Sequence, residues 1–389
     1  MDVFVLNDLL IRETAIDTYY SFIWSERVAS VGDFELVVPN TPEMRGLLAI
    51  DKRLAINESK RVMICETHDA KQDEQGRDVL TVTGRSMEKV LMERVAWPNP
   101  TAGSDTAPKW VFTAHTPKYV ADQIFLQTCV TGVMSVSDKI PLYNSGTMYP
   151  PDGIAPPDDL VTFEFEIGTV YERIKDVCDQ YKMGFRLYRG PDTSKLYFNI
   201  YTGNDRTTQQ TVLDPVVFSP NLDNLAKIQE LTSIENLKNV AFVYSKTKSI
   251  YVYADGADAS TAGFNRRVLL VDATSVDEDT EPALTNILTQ KGKEALAKNR
   301  SITAFDGEIS QADQYTYGVD YELGDIVEMQ SGMGVTNQMR VTEQIFVSDS
   351  TGSRSYPTLS VDLLITPGSW LAWDSNEEWA VAVGTWAEQ

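Results

Sequence analysis

Histidine is nearly absent from this 389-residue sequence: only His68 and His115 occur. Neither sits in a nucleophile or zincin pattern, so both are expected to be structural. The three cysteines, Cys65, Cys129 and Cys178, are widely spaced with no C-x-x-C pair, which argues against a disulfide framework and against a zinc site. A phosphate-cradling glycine loop is missing too. Gly332-Met333-Gly334 lacks both the Lys-Ser/Thr and the strand-to-helix setting of one. No apolar run reaches the ~18 residues that a membrane span requires. The start, Met1-Asp2-Val3-Phe4, has no basic region leading into an apolar run, so no signal peptide is expected and the chain is read as cytoplasmic when made. On that reading the sequons at Asn57 and Asn299 are chance.

Positive charge is also short. Thirty-four bases face 56 acids, a formal net charge of -22. Such a chain repels phosphate backbones rather than gripping them. Solubility explains the excess as well as a surface that DNA must pass without sticking does. What is present fits a folded protein with two or more cores: 42% hydrophobic and 10% aromatic residues over this length.

Residues 1–95 read as mainly β. Val3–Leu6 and Leu9–Arg12 flank the turn pair Asn7-Asp8, and Tyr19–Trp24 is an aromatic strand. Gly32-Asp33 launches a strand in which Phe34, Leu36 and Val38 share a face, stopped by Pro39. Further strands are expected at Arg53–Asn57, Val62–His68 and Asp78–Thr83, the hairpin loop being 69–77. Ser86 then caps a short helix through Leu91.

Residues 96–229 change character. Nine prolines crowd 96–160, where one helix is expected, with Thr116 at N-cap and Pro117 at N1 and with Val120, Ile124 and Thr128 inward. After a strand at Val161–Glu166, Thr169 and Glu172 form a capping box for a helix buried through Val170, Ile174, Val177, Cys178 and Tyr181. Strands at Phe185–Tyr188 and Leu196–Tyr201 complete this α+β insert.

From 230 to 366 the chain is again mainly β. A hairpin pairs Asn239–Ser245 with Ile250–Ala254. One helix near Pro282–Asn299 buries Leu284, Ile287, Leu288, Ala295 and Leu296. Gly324 and Asp325 make a tight turn. Met339, Val341, Ile345 and Val347 then alternate on one strand face, and Leu359, Val361, Leu363 and Ile365 on another. Gly-Asp precedes a strand in both β regions, at Gly32-Asp33 and Gly324-Asp325, as a duplicated module would leave it.

Acid clusters are the remaining chemical material. Asp272, Asp277, Glu278, Asp279 and Glu281 lack EF-hand spacing and precede a helix N-terminus, whose dipole favours them. Asp306–Glu328 holds seven acids and no base and reads as a solvated face. A carboxylate pair for glycoside hydrolysis is found only in space. The last 20 residues (the tail, 367–389, begins just before them) hold Trp370, Trp373, Trp379 and Trp386 with four acids and no base. These rings are read as a docking strip for another subunit, in preference to a tail folded on its own core.

Several segments resemble minor tail proteins of phages with long non-contractile tails, the tail hub family. They are Phe22-Ile23-Trp24, Gly32 to Pro39, Val79 to Arg85, Leu91-Met92-Glu93-Arg94, Ala262 to Arg267 and Asp320 to Val327. The resemblance implies an α+β, mainly β chain. It would have two antiparallel β-barrel hub domains, 1–95 and 230–366, separated by the loop-rich α+β insert 96–229 and followed by the Trp-rich tail. It implies a homotrimer at the virion tail tip, similar to the baseplate hub, that matches a six-fold tail tube and lets DNA pass its lumen. Its neighbours would be the distal tail protein, the tape measure protein and tip or fibre proteins. No catalytic, cofactor-binding or metal residues and no cofactor are expected. The alternatives are a receptor- or carbohydrate-binding adhesin, from the aromatic-rich ends, and an envelope-degrading hydrolase.

Overall fold

The computed structural model describes residues 1–360 apart from 74, 98–108, 145–159, 191–193, 225, 277–279, 300–301, 309–313 and 331–335; within strands, only the backbone of 226–232, 302–308 and 336–337 is described. The Trp-rich tail, the strand expected beyond Ser360 and Gly332-Met333-Gly334 therefore lie outside the described residues.

The chain opens with β1 (Val3–Leu6) and β2 (Arg12–Ile16). Asn7 makes the turn longer than two residues. Its Oδ1 accepts the amides of Leu9 at 2.9 Å and Ile11 at 3.0 Å, and Leu10 is held at φ 60°, so the second strand starts at Arg12 rather than Leu9. Next come β3 (Ser21–Arg27) and β4 (Asp33–Pro39), with Phe34, Leu36 and Val38 buried as expected. Helix α1 (Pro42–Leu47) is too short for a sequence stripe and sets only the half-buried Met44 and Leu47 on the core; the Thr41 hydroxyl caps it by accepting the Met44 amide. The remaining strands here are β5 (Arg53–Ile56), β6 (Met63–Gln72) and β7 (Asp78–Ser86). Ser86 makes no helix cap: its Oγ accepts the Gly32 amide at 2.8 Å, and Met87–Glu93 is a 3-10 helix. The two-residue β8 (Val95–Ala96) follows.

The insert is α+β. It contains β9 (Trp110–His115), α2 (Pro117–Phe125), β10 (Val161–Phe165), β11 (Gly168–Thr169), α3 (Val170–Tyr181), β12 (Gly184–Arg189) and β13 (Leu196–Tyr201). Thr116 caps α2, and Thr169 with Glu172 forms the capping box of α3. Val120, Ile124, Ile174, Val177 and Cys178 are fully enclosed in one core with Phe163, Phe185 and Ile200.

The last third runs β14 (Val217–Phe218), β15 (Ala226–Ser233), β16 (Val240–Tyr244), β17 (Ser249–Tyr253), β18 (Val268–Asp272) and α4 (Ala283–Ala297). It ends with β19 (Ile302–Glu308), β20 (Ile326–Gln330), β21 (Thr336–Asp349) and β22 (Gly352–Ser360). Helix α4 packs on the small β17-β16-β18 sheet through Leu284, Ile287, Leu288 and Leu296. Ala295 is only half-buried; Gly292 is the residue that lets the helix sit close, since a Cβ there would lie 2.6 Å from Val252.

The two β regions are not separate sheets. One large sheet runs β15-β19-β22-β21-β3-β4-β7-β6-β5-β1-β2, with β20 and then β14 on the flank of β21. Strand β21 joins the halves. Its first part pairs with β20, Ile326 opposite Arg340, and its second part pairs with β3, Phe346 opposite Trp24. A β-bulge between Val341 and Glu343 separates the parts. One extra residue turns the strand over. Met339 and Val341 therefore enter the core of the C-terminal region, whereas Phe346, not Ile345, enters the core of the N-terminal one. That N-terminal core holds Ile16 of β2 and Trp24 of β3 together, so the part of the sheet from β3 to β2 curls around it. Among the described strands no ladder joins β2 to β3, and closure into a barrel is not seen in either half.

Without β2 and the β16–β18 and α4 unit, the halves repeat one strand order. Across the sheet they read β3-β4-β7-β6-β5-β1 and β15-β19-β22-β21-β20-β14, and the strands correspond one to one in chain order. The ladders match in direction except the last, antiparallel for β5–β1 and parallel for β20–β14. The bulge recurs. Cys65 and Thr67 face Gly84 and Thr83, as Val341 and Glu343 face Leu359 and Thr358. Two backbone bonds recur with it. Asp51 N to Cys65 O and Cys65 N to Lys52 O, both 2.8 Å, match Gly324 N to Val341 O at 2.8 Å and Val341 N to Asp325 O at 2.9 Å. Asp51 at φ 70° stands where Gly324 has φ 92°. The counterpart of Gly324-Asp325 is thus Asp51-Lys52, not Gly32-Asp33, which opens β4.

Candidate functional site: a buried charged joint

The insert and both β regions meet at a cleft of about 40 Å³, enough for roughly one water. At its base lies Arg61, 3% exposed, just before β6. It donates to Glu88 at 2.9 Å and to the Arg27 carbonyl at 2.7 Å, and it lies 3.6 Å from Glu26. Burial works against the guanidinium charge, but Glu88 first, with Glu26 beside it, outweighs this and raises its pKa. Each carboxylate is shared between regions. Glu88 Oε1 also accepts the Leu187 amide of β12 at 2.9 Å, while Glu26 accepts Trp24 Nε1 at 2.9 Å, the Ser59 hydroxyl and the Tyr317 hydroxyl at 3.2 Å. Arg186 of β12 reaches Glu322 at 2.9 Å, with Lys60 at 3.7 Å from the same carboxylate.

A second set ties the segment after β13 to the Gly324 turn. Asp325, 1% exposed, accepts the amides of Asn204 at 2.6 Å and Glu322 at 3.0 Å, and Arg206 lies 3.7 Å away. Burial pushes its carboxyl up to about 6, the amide donors offsetting part of the effect. Gly203 passes so close that a Cβ would sit 2.2 Å from the Gly324 carbonyl. Glu328 accepts the Thr208 amide and hydroxyl at 3.0 and 2.6 Å, and Arg340 donates to the carbonyls of Thr202 and Lys182. Glu322, Asp325 and Glu328 are therefore interior ligands of the insert. This corrects their reading as a solvated face: Arg186, Arg206 and Thr208, which hold them, lie over a hundred residues earlier, out of reach of local charge counting.

The groups of the joint hold one another. Burial raises the pKa of Tyr317 and Tyr321 and pushes the thiols of Cys65 and Cys129 up to about 12. Thiols so buried are poor nucleophiles. His68 Nε2 bonds the Leu48 carbonyl at 2.7 Å, and His115 stacks on Tyr119 with ring centroids 4.3 Å apart. Asp272 caps the Thr274 amide and hydroxyl, Glu281 binds Lys248 and Thr285, and Asp277–Asp279 lie outside the described residues. Among the described residues no group of His, Cys, Asp and Glu has a metal-holding arrangement, and no helix is long and apolar enough to cross a membrane. Trp370, Trp373, Trp379 and Trp386 lie outside the described residues. The joint itself escaped the sequence reading, because Arg61, Glu88 and Glu26 match no motif.

Solved structures that share this fold include three tail proteins. The tail protein from Neisseria meningitidis MC58 aligns with TM-score 0.56 at 12% identity, over 94% of this chain and 97% of that one. The 43 kDa tail protein of prophage MuSo2 from Shewanella oneidensis gives 0.53 at 12% identity, over 94% and 99%. Prophage tail protein gp18 from Listeria monocytogenes EGD-e gives 0.51 at 13% identity, over 92% and 94%. No curated protein matches the sequence. Residues 2–359 match the family described as Siphovirus ReqiPepy6 Gp37-like protein, and the chain belongs to that family of phage tail proteins.

Proposed function

We propose that this tail protein is a structural, non-enzymatic hub: three copies form a ring at the tail tip that continues a six-fold tube and lets DNA pass. The observation that carries this reading is the repeated strand order, with its repeated bulge and turn bonds. A trimer fits a six-fold tube when each chain offers two similar faces, and the two halves supply them. We read the halves as two barrel-like modules, about 1–96 and 216–360, with the buried charged joint fixing the insert against both. The distal tail protein, tail tube, tape measure protein and tip or fibre proteins are the neighbours such a hub would contact. The net charge of -22 supports a lumen that repels passing DNA.

Imaging of the assembled tail tip tests the proposal. Three copies arranged as six similar modules around an acidic lumen are expected. Any other copy number, or a basic ring lining the channel, overturns it.

A further inference from the structure

The joint between the halves has a counterpart that the single chain leaves open. Corresponding residues follow from the ladders. Trp24, Phe34, Gly84 and Cys65 form one row across β3, β4, β7 and β6. Glu230, Phe305, Leu359 and Val341 form the same row across β15, β19, β22 and β21. Within the chain, the part of β21 beyond its bulge pairs antiparallel with β3, Glu343 opposite Arg27 and Phe346 opposite Trp24. The same part of β6, Thr67 to Gln72, pairs only with β7 among the described residues; β5 reaches no further along it than Ile64. It is mostly exposed. The equivalent of β3 is β15, which ends the sheet with one edge unpaired among the described residues.

We propose that Thr67–Gln72 of one copy pairs antiparallel with β15 of a second copy, Thr67 opposite Ser233 and Ala70 opposite Glu230. This rests on the hub reading and supplies its contact between chains. Long unpaired edges are templates for strand addition, and a second copy is the partner whose matching edge has the geometry already used within the chain. A separate observation points the same way. Val28, just past β3, is 8% exposed in the core of the C-terminal half, and its amide donates to the Thr342 carbonyl at 3.1 Å. Its counterpart past β15 is Ile234, an apolar side chain left 50% exposed. The new pairing would cover it. The contact is head-to-tail, and with a rotation of one third of a turn per copy it closes a ring in which three internal joints alternate with three between chains, six steps in all.

The test uses phage tails that carry the full-length Thr67→Cys/Ser233→Cys chain. The native cysteines are buried and do not compete. Mild oxidation is expected to convert the monomer band into a covalent trimer on a non-reducing gel, with no trimer from either single variant. The shifted pair, Asp69→Cys/Ser233→Cys, is expected to leave mostly monomer. Hydrogen exchange of the unaltered protein is the second measurement. Amides of 67–72 and 226–233 should slow more than tenfold in assembled tails relative to the isolated chain. A three-copy tip with no cross-link and unchanged exchange overturns this pairing and leaves the hub reading standing. A ladder running past trimer overturns ring closure, and a tip without three copies overturns both.

Discussion

Replacing Arg61 by methionine tests whether the buried joint holds the chain together. The substitution keeps most of the side-chain volume and removes the charge, leaving Glu88, 0% exposed, without its partner at 2.9 Å. Glu26, 3% exposed, keeps the Trp24, Ser59 and Tyr317 donors, so Glu88 bears most of the penalty. Removing one partner of a buried ion pair costs about 3–5 kcal/mol, because the remaining charge is uncompensated. For a domain of this size class that is a fall in melting temperature on the order of 10 °C. The double variant Arg61→Met/Glu88→Gln separates charge from shape. Its amide oxygen can still accept the Leu187 N–H, now made by Glu88 Oε1 at 2.9 Å, and its NH₂ takes the place of Oε2, a buried oxygen with no hydrogen-bond partner. About half of the loss should return in the double variant. Thermal melts followed by circular dichroism read both. If Arg61→Met melts within about 2 °C of the unaltered protein, or the double variant is no better than the single, the joint does not act as argued.

Three further outcomes follow from the same geometry. Asp325 titrates near 3.8 unfolded and about 6 folded, so the native state holds its proton more tightly; its contribution is complete below the lower value and is lost as pH rises through the higher. The stability difference between unaltered protein and Asp325→Asn should therefore shift by roughly 3 kcal/mol across that window in denaturant titrations, and a flat difference rejects the buried-carboxyl account. Gly84→Ala places a Cβ 1.7 Å from the Ile64 carbonyl oxygen beside the bulge. It should cost about 3 kcal/mol by chemical denaturation, and a silent substitution would mean the strands there are looser than described. Ending the chain after Gly368 should leave the melting transition intact but block incorporation into tails if the four tryptophans dock on a partner; loss of the transition would show that they pack on their own chain.

Legibility in the sequence tracked how local each signal was. Helices α2 and α3 were readable because cap and stripe lie within one segment, as in the Thr169–Glu172 box. Helix α1 is six residues long and packs only the half-buried Met44 and Leu47 on the core, and β9 is a short strand among prolines, so neither pattern ran long enough to stand out. In β21 the alternation from Met339 continues in the sequence to Ile345 and Val347, although the bulge turns the strand over and puts Phe346 rather than Ile345 in the core. A one-residue bulge leaves no composition signal, yet it decides which core each later side chain enters. The charged joint was invisible for another reason. Arg61 and Glu88 are 27 residues apart, and Tyr317 meets Glu26 across 291.

The duplication shows the same limit from the other side. The sequence offered Gly-Asp twice, and that pair does not mark equivalent positions. What recurs is backbone: a positive φ, satisfied by Asp51 in one half and Gly324 in the other, two hydrogen bonds and one bulge. Side chains at equivalent sites were then free to follow their surroundings. Phe346 and Val28 meet an internal joint and are buried, whereas their counterparts Ala70 and Ile234 are exposed. A contact formed while the chain folds can use a large apolar ring. An edge that waits for a second copy must stay soluble first, and a small residue among Asp69, Lys71 and Gln72 satisfies that condition.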